Sequence, residues 1–405
     1  MVVSTKPSLL YISPVIPAMT GNGLAMRAGT VLEVLAARYE VHLLAAPLYA
    51  SVSPRIPEQL EKLCRRVAIV SPWRPRRRWL RPARTWGDFR FDVVHVFRLA
   101  MLPFSEPYLR GLFRRPRRHL DLDDIESTTS RRLASLYRDN GASARAAHEE
   151  SEADRLESLE NIAFRKFDRV YVCSAADRHK LEARAPAEIR VLPNGVRLPG
   201  PMPAPLPAQM PAPLPAALHA RAADRPFTFL FVGTLGYYPN EDGVRYLCAE
   251  IVPWIRQLAG SGFVVNIAGT GASESLRQAV NVPPVRLVGE VADLDPWYAE
   301  ADVIVAPVRA GGGTRIKVLE AFSYQRPVVA TSIAMEGIEA RAEEHVLIGD
   351  TPAAFAEQCA RLMLDPQLRA RTARNAYDLL VRSYTIEALT RALDEMDHFA
   401  ATSSS

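Results

Sequence analysis

Residues 311–320 combine three kinds of group that are suited to binding a polar, anionic ligand. The glycines Gly311–Gly313 have no Cβ, so their backbone N–H groups can approach an oxyanion closely. Arg315 and Lys317 follow at the predicted start of a helix, where an anion would offset the repulsion between these cations and the positive helix end. Glu320 adds a carboxylate that accepts hydrogen bonds from a diol such as ribose. The alternative interpretation is a solvated helix start behind a flexible loop.

The flanking residues predict the elements that hold this loop. Val303–Ala306 is a short apolar run, typical of a buried strand, and Pro307 ends it. Thr314 is predicted to be the N-cap of a helix over residues 315–322. Pro327–Ala330 begins a second strand. The predicted order of strand, glycine loop, helix and strand is that of one crossover unit in an α/β fold.

These motifs resemble those of a known enzyme family. The pattern Gly-Gly-Thr-Arg-x-Lys-x-Leu-Glu-Ala, followed by Arg-Pro-Val-Val-Ala-Thr, is similar to the C-terminal domain of glycosyltransferase family 4, the retaining nucleotide-sugar transferases of the GT-B fold. The similarity is strong over about 226–350 and weaker over 8–198, and it points to sugar transferases of bacterial exopolysaccharide clusters. It implies an α/β chain with two Rossmann-like doubly wound domains that face a cleft.

The length and the proline distribution agree with two domains. A chain of 405 residues can form two hydrophobic cores. The segment from Pro199 to Pro215, PGPMPAPLPAQMPAPLP, is predicted to be an extended linker, with a ligand for another protein as the alternative. We therefore expect a Rossmann-like acceptor domain over 1–198, a linker over 199–225 and a nucleotide-sugar domain over 226–383. The resemblance implies that a final helix, within 384–405, crosses back to the first domain.

The chain departs from the family pattern at the donor site. Many members carry a glutamate that contacts the donor sugar, where this chain has Gly312. Many also hold the donor pyrophosphate with an arginine and a lysine, at positions that here are Thr234 and Asn240. Because both replacements are neutral, we predict that Arg315 and Lys317 supply the missing positive charges from the glycine loop.

Further donor-site positions come from the resemblance and from the predicted elements. Gly233 and Thr234 follow an apolar strand over 227–232, and Asn240 is predicted to cap the next helix. Similar enzymes hold the nucleotide base with backbone groups, which in this chain lie near Val288 and Gly289. The donor site is thus predicted to combine these positions with the glycine loop, Thr314 and Glu320.

The first half of the chain offers candidate residues for the donor phosphates or the acceptor. A strand, a loop and a helix at the N-terminus fit a Rossmann-like half, but Met26 occupies the third glycine position of a dinucleotide fingerprint. The resemblance places the loop near the donor phosphates or the acceptor, with a plain connecting turn as the alternative. The loop residues are Gly21, Asn22 and Gly23.

Two later strands of this half also end in polar residues. His95 lies toward the carboxyl side of one, where open α/β sheets bind ligands, and the alternative is a structural histidine. Similar transferases place a polar acceptor-site residue where this chain has Asp123 and Asp124. The alternative is that Asp124 and Ser127 cap a helix.

These observations predict a retaining glycosyltransferase of the hexosyltransferase type. It would move a sugar from a nucleotide-sugar donor to a saccharide or lipid-linked acceptor in surface polysaccharide biosynthesis. Arg315, Lys317 and the loop amides would stabilise the leaving diphosphate, with Asp124 as the third catalytic candidate, and no metal or cofactor is expected. The alternatives are a GT-B nucleotide-sugar epimerase and a non-catalytic, nucleotide-binding partner of a glycosyltransferase. The donor sugar, the base and the acceptor stay open.

Composition and charge bear on where the protein works. The four scattered cysteines, the lack of a long apolar run and the lack of a secretory signal pattern predict a cytoplasmic protein. The net charge is +5, and six arginines lie within residues 73–84 beside Trp73 and Trp79. This basic segment predicts a peripheral contact with an anionic membrane, with a solvated loop as the alternative. No nucleic-acid-binding motif accompanies it.

Replacing Arg76, Arg77 and Arg78 by serine should lower binding to anionic lipid vesicles, because each arginine near the surface is attracted to acidic headgroups. The difference from the parent should be largest at low salt, where screening is weak. Vesicle co-sedimentation measures it. A parent chain that does not bind the vesicles would contradict the membrane interpretation.

Overall fold

The computed structural model describes residues 6–49, 55–70, 90–109, 115–199, 225–280 and 282–393. The arginine-rich segment and most of the proline-rich segment lie outside these residues. The chain divides into two units. The first holds Met1–Gly195, Gly312–Thr314 and Ile386–Ser405, and the second holds Val196–Gly311 and Arg315–Thr385.

The first unit is a seven-stranded sheet flanked by helices. All its strand pairs are parallel, in the order β3-β2-β1-β4-β5-β6-β7. The elements are β1 Ser8–Ser13, α1 Gly23–Ala36, β2 Glu40–Ala45, α2 Glu58–Glu61, β3 Cys64–Ile69, β4 Val93–Phe97, α3 Leu102–Leu109, β5 Arg117–Asp121, α4 Glu126–Asp139, α5 Ser143–Phe164, β6 Arg169–Val172, α6 Ala175–Glu182 and β7 Glu188–Val191.

Strand β1 shows why this sheet must be covered on both faces. Successive side chains of a strand point to opposite faces. Leu10 and Ile12 pack into one hydrophobic cluster of the unit, whereas Leu9 and Tyr11 pack into another. The four consecutive apolar residues Leu9–Ile12 therefore favour a parallel sheet buried between two helical layers.

The second unit is a six-stranded parallel sheet in the order β10-β9-β8-β11-β12-β13. A final helical segment, α15 over residues 386–393, groups with the first unit. The elements of the second unit are β8 Phe227–Val232, α7 Tyr238–Tyr246, α8 Val252–Ala259, β9 Phe263–Ala268, α9 Glu274–Val280, β10 Val285–Gly289, α10 Asp295–Glu300, β11 Val303–Ala306, α11 Ile316–Ser323, β12 Val328–Ala330, α12 Ser332–Met335, β13 Leu347–Ile348, α13 Pro352–Leu364 and α14 Pro366–Ser383.

Both sheets have the doubly wound order that the sequence predicts. In each unit the chain starts in the middle of the sheet, proceeds to one edge, returns to the middle and proceeds to the other edge. The order reverses between β1 and β4 in the first unit and between β8 and β11 in the second. Open α/β sheets bind ligands at the carboxyl ends of the strands at such a reversal. Among the described helices, none is long and apolar enough to cross a bilayer.

Two predicted helix caps of the second unit are wrong. Helix α11 begins at Ile316 with Arg315 as its N-cap residue, so Thr314 does not cap it. Helix α7 begins at Tyr238, which places Asn240 inside the first turn. The Asn240 amide donates instead to the carbonyl of Thr234, at 2.9 Å. The side chain of Asn240 therefore makes a tertiary hydrogen bond in place of the helix cap that its residue type favours.

The alternative interpretation, in which Asp124 and Ser127 cap a helix, is also wrong. Ile125 is the N-cap residue of α4, and no side chain caps that helix end. Ser127 donates its hydroxyl to Glu160 at 2.8 Å, and Asp124 pairs with Arg98. Both polar side chains therefore connect elements that are distant in the sequence.

A buried ion pair ties together the carboxyl edge of the first sheet. Arg27, on α1, is 1% exposed and donates to both carboxylate oxygens of Asp121 at 3.0 and 3.1 Å. It also donates to the carbonyls of Leu192 and Pro193 at 2.7 and 2.8 Å. Burial alone would raise the pKa of Asp121, but the Arg27 guanidinium and His95 together outweigh burial and lower that pKa. The sequence did not reveal this pair, because its members lie in separate elements.

Replacing Arg27 by Met should lower the free energy of unfolding by roughly 3–5 kcal/mol, because it leaves the buried Asp121 carboxylate uncompensated. Urea unfolding of the full chain measures this change. The control is Arg138→Met, which breaks an exposed pair with Glu150 and should cost at most about 1 kcal/mol.

Adding Asp121→Leu to Arg27→Met should recover part of the loss, since it removes the buried charge itself. Equal losses for Arg27→Met and Arg138→Met would contradict this account.

Candidate active site

The candidate site of the second unit lies where its strand order reverses. Strand β8 ends at Val232 and leads into Gly233, and the neighbouring β11 ends at Ala306 and leads into the glycine loop and α11. Because both strands are parallel and adjacent, their carboxyl ends lie at the same edge of the sheet. The loop after β8 and the start of α11 are therefore neighbours in space, although about eighty positions separate them in the sequence.

Lys317 reaches from α11 into the loop that follows β8. Its Nζ donates to Oδ1 of Asn240 at 2.7 Å and lies 4.5 Å from the centre of the Phe231 ring. A methyl group at Gly233 would lie 2.8 Å from this Nζ, so the glycine leaves space for the ammonium. Burial lowers the pKa of Lys317 to about 7, and the Arg315 charge lowers it as well, whereas Glu320 opposes the shift.

Arg315 lies beside the first glycine of the loop. A methyl group at Gly311 would be 2.9 Å from Nη2 of Arg315 and 3.5 Å from the hydroxyl of Tyr237. Gly311 has a φ of 121°, which a residue with a side chain rarely adopts. Tyr237 belongs to the segment after β8, so both cations of α11 lie near that segment. That Arg315 and Lys317 supply the positive charge missing at Thr234 and Asn240 stays a prediction.

Glu320 lies one turn further along α11 and is held by a tyrosine that the sequence analysis did not identify. The Tyr298 hydroxyl donates to Oε2 of Glu320 at 3.2 Å. Burial raises the pKa of Glu320 to about 7, while the Tyr298 hydrogen bond and the Lys317 charge oppose that shift and Asp295 adds to it. A carboxylate and an ammonium that both titrate near neutrality thus lie on one face of α11.

The predicted base-binding backbone contains an irregularity. The pairing of β10 with β9 passes from Leu287 directly to Gly289, so Val288 is skipped in the register. Gly289 has a φ of 79°, and its carbonyl accepts from the N–H of Gly269 at 2.7 Å. A skipped residue at the end of a strand leaves backbone polar groups outside the ladder, as a base-binding edge requires.

In the first unit, the N-terminal loop and His95 have structural roles. Asn22 is the N-cap of α1, with Oδ1 accepting from the N–H of Ala25 at 2.9 Å, and the preceding Gly21 has a φ of 108°, with Gly23 starting the helix. His95 is completely buried, and its ring lies 5.4 Å from that of Tyr171. The structure thus favours the structural interpretation of His95.

Carboxylates gather around Arg98 at the carboxyl ends of β4 and β5. Arg98 pairs with Asp124, lies 3.3 Å from Glu126 and lies 3.6 Å from Asp123. Burial raises the pKa of Asp123, and the neighbouring carboxylate of Asp124 adds to that shift, whereas Arg27 and Arg98 oppose it. Asp123 and Asp124 thus share Arg98 as a partner that the sequence analysis missed, and their role in the acceptor site stays a prediction.

Gly312, which groups with the first unit, has no space for a side chain. A Cβ there would lie 1.9 Å from Oγ1 of Thr129 and 2.7 Å from Oδ2 of Asp124. The Thr129 hydroxyl donates to the same Asp124 oxygen at 2.9 Å. A glutamate at position 312, as in many similar enzymes, would therefore displace both of these side chains.

Part of the second unit matches a known family. Residues 226–365 match the sequence model of the family described as Glycosyl transferases group 1. This match confirms the resemblance of the motifs over those residues. The matched region covers β8 to α13, and so includes the glycine loop and the cations of α11.

Solved structures of other proteins share the fold of this chain. Sucrose-phosphate synthase from Thermosynechococcus elongatus superposes with a TM-score of 0.67 at 18% identity, covering 98% of this chain and 100% of that one. HepE from Anabaena, in complex with UDP and glucose, superposes with a TM-score of 0.65 at 14% identity, covering 96% and 99%. At these identities the likeness shows the fold, and the predicted GT-B fold is confirmed.

A curated relative is similar over a shorter region. It is an uncharacterized 44.6 kDa protein in the cps region of Klebsiella pneumoniae, 25% identical over 163 residues. The match covers 38% of this chain and 42% of that protein.

The space at Gly233 gives a test of the cationic site. Gly233→Ala would place a methyl group 2.8 Å from the Lys317 ammonium and move that ammonium away. We expect affinity for inorganic pyrophosphate to fall about tenfold or more, as for a lost charge-assisted hydrogen bond, with little loss of stability. Thermal shift with pyrophosphate measures it.

The control is Gly262→Ala, because position 262 has open space around it. If Gly233→Ala keeps the parent's response to pyrophosphate, Lys317 does not contribute to anion binding.

Proposed function

We propose that this protein is a retaining glycosyltransferase that uses a nucleotide-sugar donor and a saccharide or lipid-linked acceptor in surface polysaccharide biosynthesis. The observation that carries the proposal is the pair of cations at the strand-order reversal of the second unit. Lys317 and Arg315 both lie beside the segment after β8, within the group 1 glycosyltransferase domain. The diphosphate of a nucleotide sugar is the ligand that fits this charge.

The electrostatics of the two cations favour a doubly charged anion. Arg315 lowers the pKa of Lys317, which means that the two positive charges repel each other in a partly buried site. A diphosphate between them relieves that repulsion and restores the proton on Lys317. As the sugar–phosphate bond breaks, negative charge grows on the leaving diphosphate, so prearranged cations stabilise the transition state more than the ground state.

Glu320 supplies the second recognition element. Its carboxylate is on the same face of α11 as Lys317 and is suited to accept hydrogen bonds from the two ribose hydroxyls of a nucleoside diphosphate. HepE from Anabaena, which shares the fold, has been solved in complex with UDP and glucose. The diphosphate would thus contact the start of α11 and the loop after β8, the ribose would contact Glu320 of α11, and the base would contact the end of β10.

The acceptor is assigned to the first unit. Asp123 and Asp124 lie at the carboxyl end of β5, where their oxygens can accept hydrogen bonds from sugar hydroxyls. Retention would proceed by a front-face route in which the donor phosphate takes the proton of the acceptor hydroxyl, with no protein nucleophile. The relative in the cps region of Klebsiella pneumoniae supports a role in polysaccharide synthesis.

A panel of UDP-, GDP-, ADP- and TDP-sugars tests this function. Thermal shift selects the donor, and product analysis then follows the reaction. Release of nucleoside diphosphate with a glycosylated acceptor supports a transferase. A free epimerised sugar nucleotide indicates an epimerase instead, and binding without turnover indicates a non-catalytic partner. Stabilisation by none of the nucleotides would overturn the proposed function.

Arg315→Ala should lower kcat by about 10²–10³, as loss of one preorganised donor to the leaving group does, and substrate affinity should fall less. The double variant Thr234→Arg, Arg315→Ala should recover part of the rate, because position 234 lies on the loop that the guanidinium faces. The control is Arg341→Ala, an exposed arginine remote from the site in sequence.

Initial rates with the selected donor measure these changes. A near-normal kcat for Arg315→Ala would mean that Arg315 is a surface residue of the helix start and that the phosphate site lies elsewhere.

A further inference from the structure

A pair of tyrosines connects α10 to α11 beside the candidate site. Tyr298, on α10, is 1% exposed, and its hydroxyl donates to Glu320 on α11. Tyr324, which follows α11, donates its hydroxyl to Asp295 at the start of α10. Helix α10 therefore contributes Tyr298 and Asp295, and α11 with the residue after it contributes Glu320 and Tyr324. One hydrogen bond is donated from α10 and the other is donated to it.

The tyrosine rings hold this arrangement in place. The rings of Tyr298 and Tyr324 are stacked with centroids 4.7 Å apart and planes only 2° from parallel. The buried Tyr298 ring has little space for another rotamer, so its hydroxyl is fixed with respect to Glu320. Phenylalanine would fill the same space as the Tyr298 ring. Packing therefore explains the ring, and the hydroxyl calls for a separate, functional explanation.

We propose that Tyr298 is a positioning residue that orients the Glu320 carboxylate toward the two hydroxyls of a ribose, and so makes the site selective for ribonucleoside over 2′-deoxyribonucleoside diphosphates. The inference rests on the proposed function and deepens it. One Glu320 oxygen is occupied by Tyr298 at 3.2 Å, which fixes the plane of the carboxylate. A carboxylate in one fixed plane can accept from two adjacent hydroxyls with little loss of conformational entropy.

The charge state of Glu320 depends on the same contact. Four groups face this carboxylate or its tyrosine partner: Tyr298 and Asp295 from α10, Lys317 from α11, and Tyr324 after it. Burial and Asp295 raise the pKa of Glu320, whereas Tyr298 and Lys317 lower it. Without the Tyr298 hydroxyl, the pKa of Glu320 rises, and a larger share of Glu320 is protonated at neutral pH and can no longer make charge-assisted hydrogen bonds to two hydroxyls.

The experiment compares Tyr298→Phe with Tyr324→Phe, which is a matched control. Both variants keep the stacked rings and lose one hydroxyl, but only the first loses a bond to Glu320. Calorimetry measures binding of UDP, GDP or ADP, whichever the donor panel selects, and of its 2′-deoxy analogue. Thermal unfolding of each variant without ligand checks that the fold is retained.

Tyr298→Phe should weaken binding of the ribonucleotide about two- to tenfold, as for the loss of one hydrogen bond, and change binding of the 2′-deoxy analogue much less. Tyr324→Phe should leave both affinities near the parent values. The ratio of parent to Tyr298→Phe affinity should shrink between pH 7 and about pH 8.5, because Glu320 becomes ionised in both proteins.

Three results would overturn the inference while leaving the proposed function intact. The first is an equal loss of nucleotide affinity in Tyr298→Phe and Tyr324→Phe. The second is a loss of affinity in Tyr298→Phe that is equal for the ribonucleotide and its 2′-deoxy analogue. The third is selection of TDP by the donor panel. Failure of every nucleotide to bind the parent would instead overturn the proposed function, and this inference with it.

Discussion

The repulsion between two like charges is the interaction on which the candidate site depends. Arg315 and Lys317 are two residues apart at the start of α11, where the helix dipole is already positive. Lys317 is partly buried as well, so its ammonium is destabilised by its environment and by its neighbour. In the function proposed for this site, a bound diphosphate supplies the negative charge that offsets this repulsion. The helix start would then be less stable without the ligand and would bind the anion more tightly.

The parallel sheet decides where this charge can be placed. The central strands β8 and β11 of the second unit are buried at every position, so charged side chains have to lie in the loops and helices at their ends. The carboxyl ends of β8 and β11 are adjacent, which brings Gly233 and Asn240 next to Lys317. The first unit follows the same rule, because its buried Arg27 and its acidic residues gather at the carboxyl ends of β4 and β5. In both units, the sheet topology determines where a charged site can lie, and the residues at that edge determine its charge.

The sequence was sufficient to predict the strands but not the contacts between separate elements. Apolar runs such as Val303–Ala306 have few alternatives in an α/β chain, and the structure has a strand at these residues. Asn240 was misassigned because its residue type favours a helix cap, whereas Thr234 and Lys317 use its amide.

Contacts between distant elements were missed for a related reason. Tyr298 and Arg27 could not be connected to Glu320 and Asp121, since no local pattern records a contact between separate elements. An acid in an otherwise apolar strand was the one available signal, at Asp121.

The space at Gly233 also constrains how the sequence can evolve. Any side chain at this position would occupy the volume that the Lys317 ammonium uses, so the two positions cannot vary independently. A lineage with its cation on α11 has to keep residue 233 a glycine, whereas one with its cation on the loop after β8 is free of that restriction. Homologues should therefore fall into two groups with few viable intermediates. A position-by-position comparison of aligned sequences would assign different sites to the two groups of homologues, although the positive charge would lie at the same place in the fold.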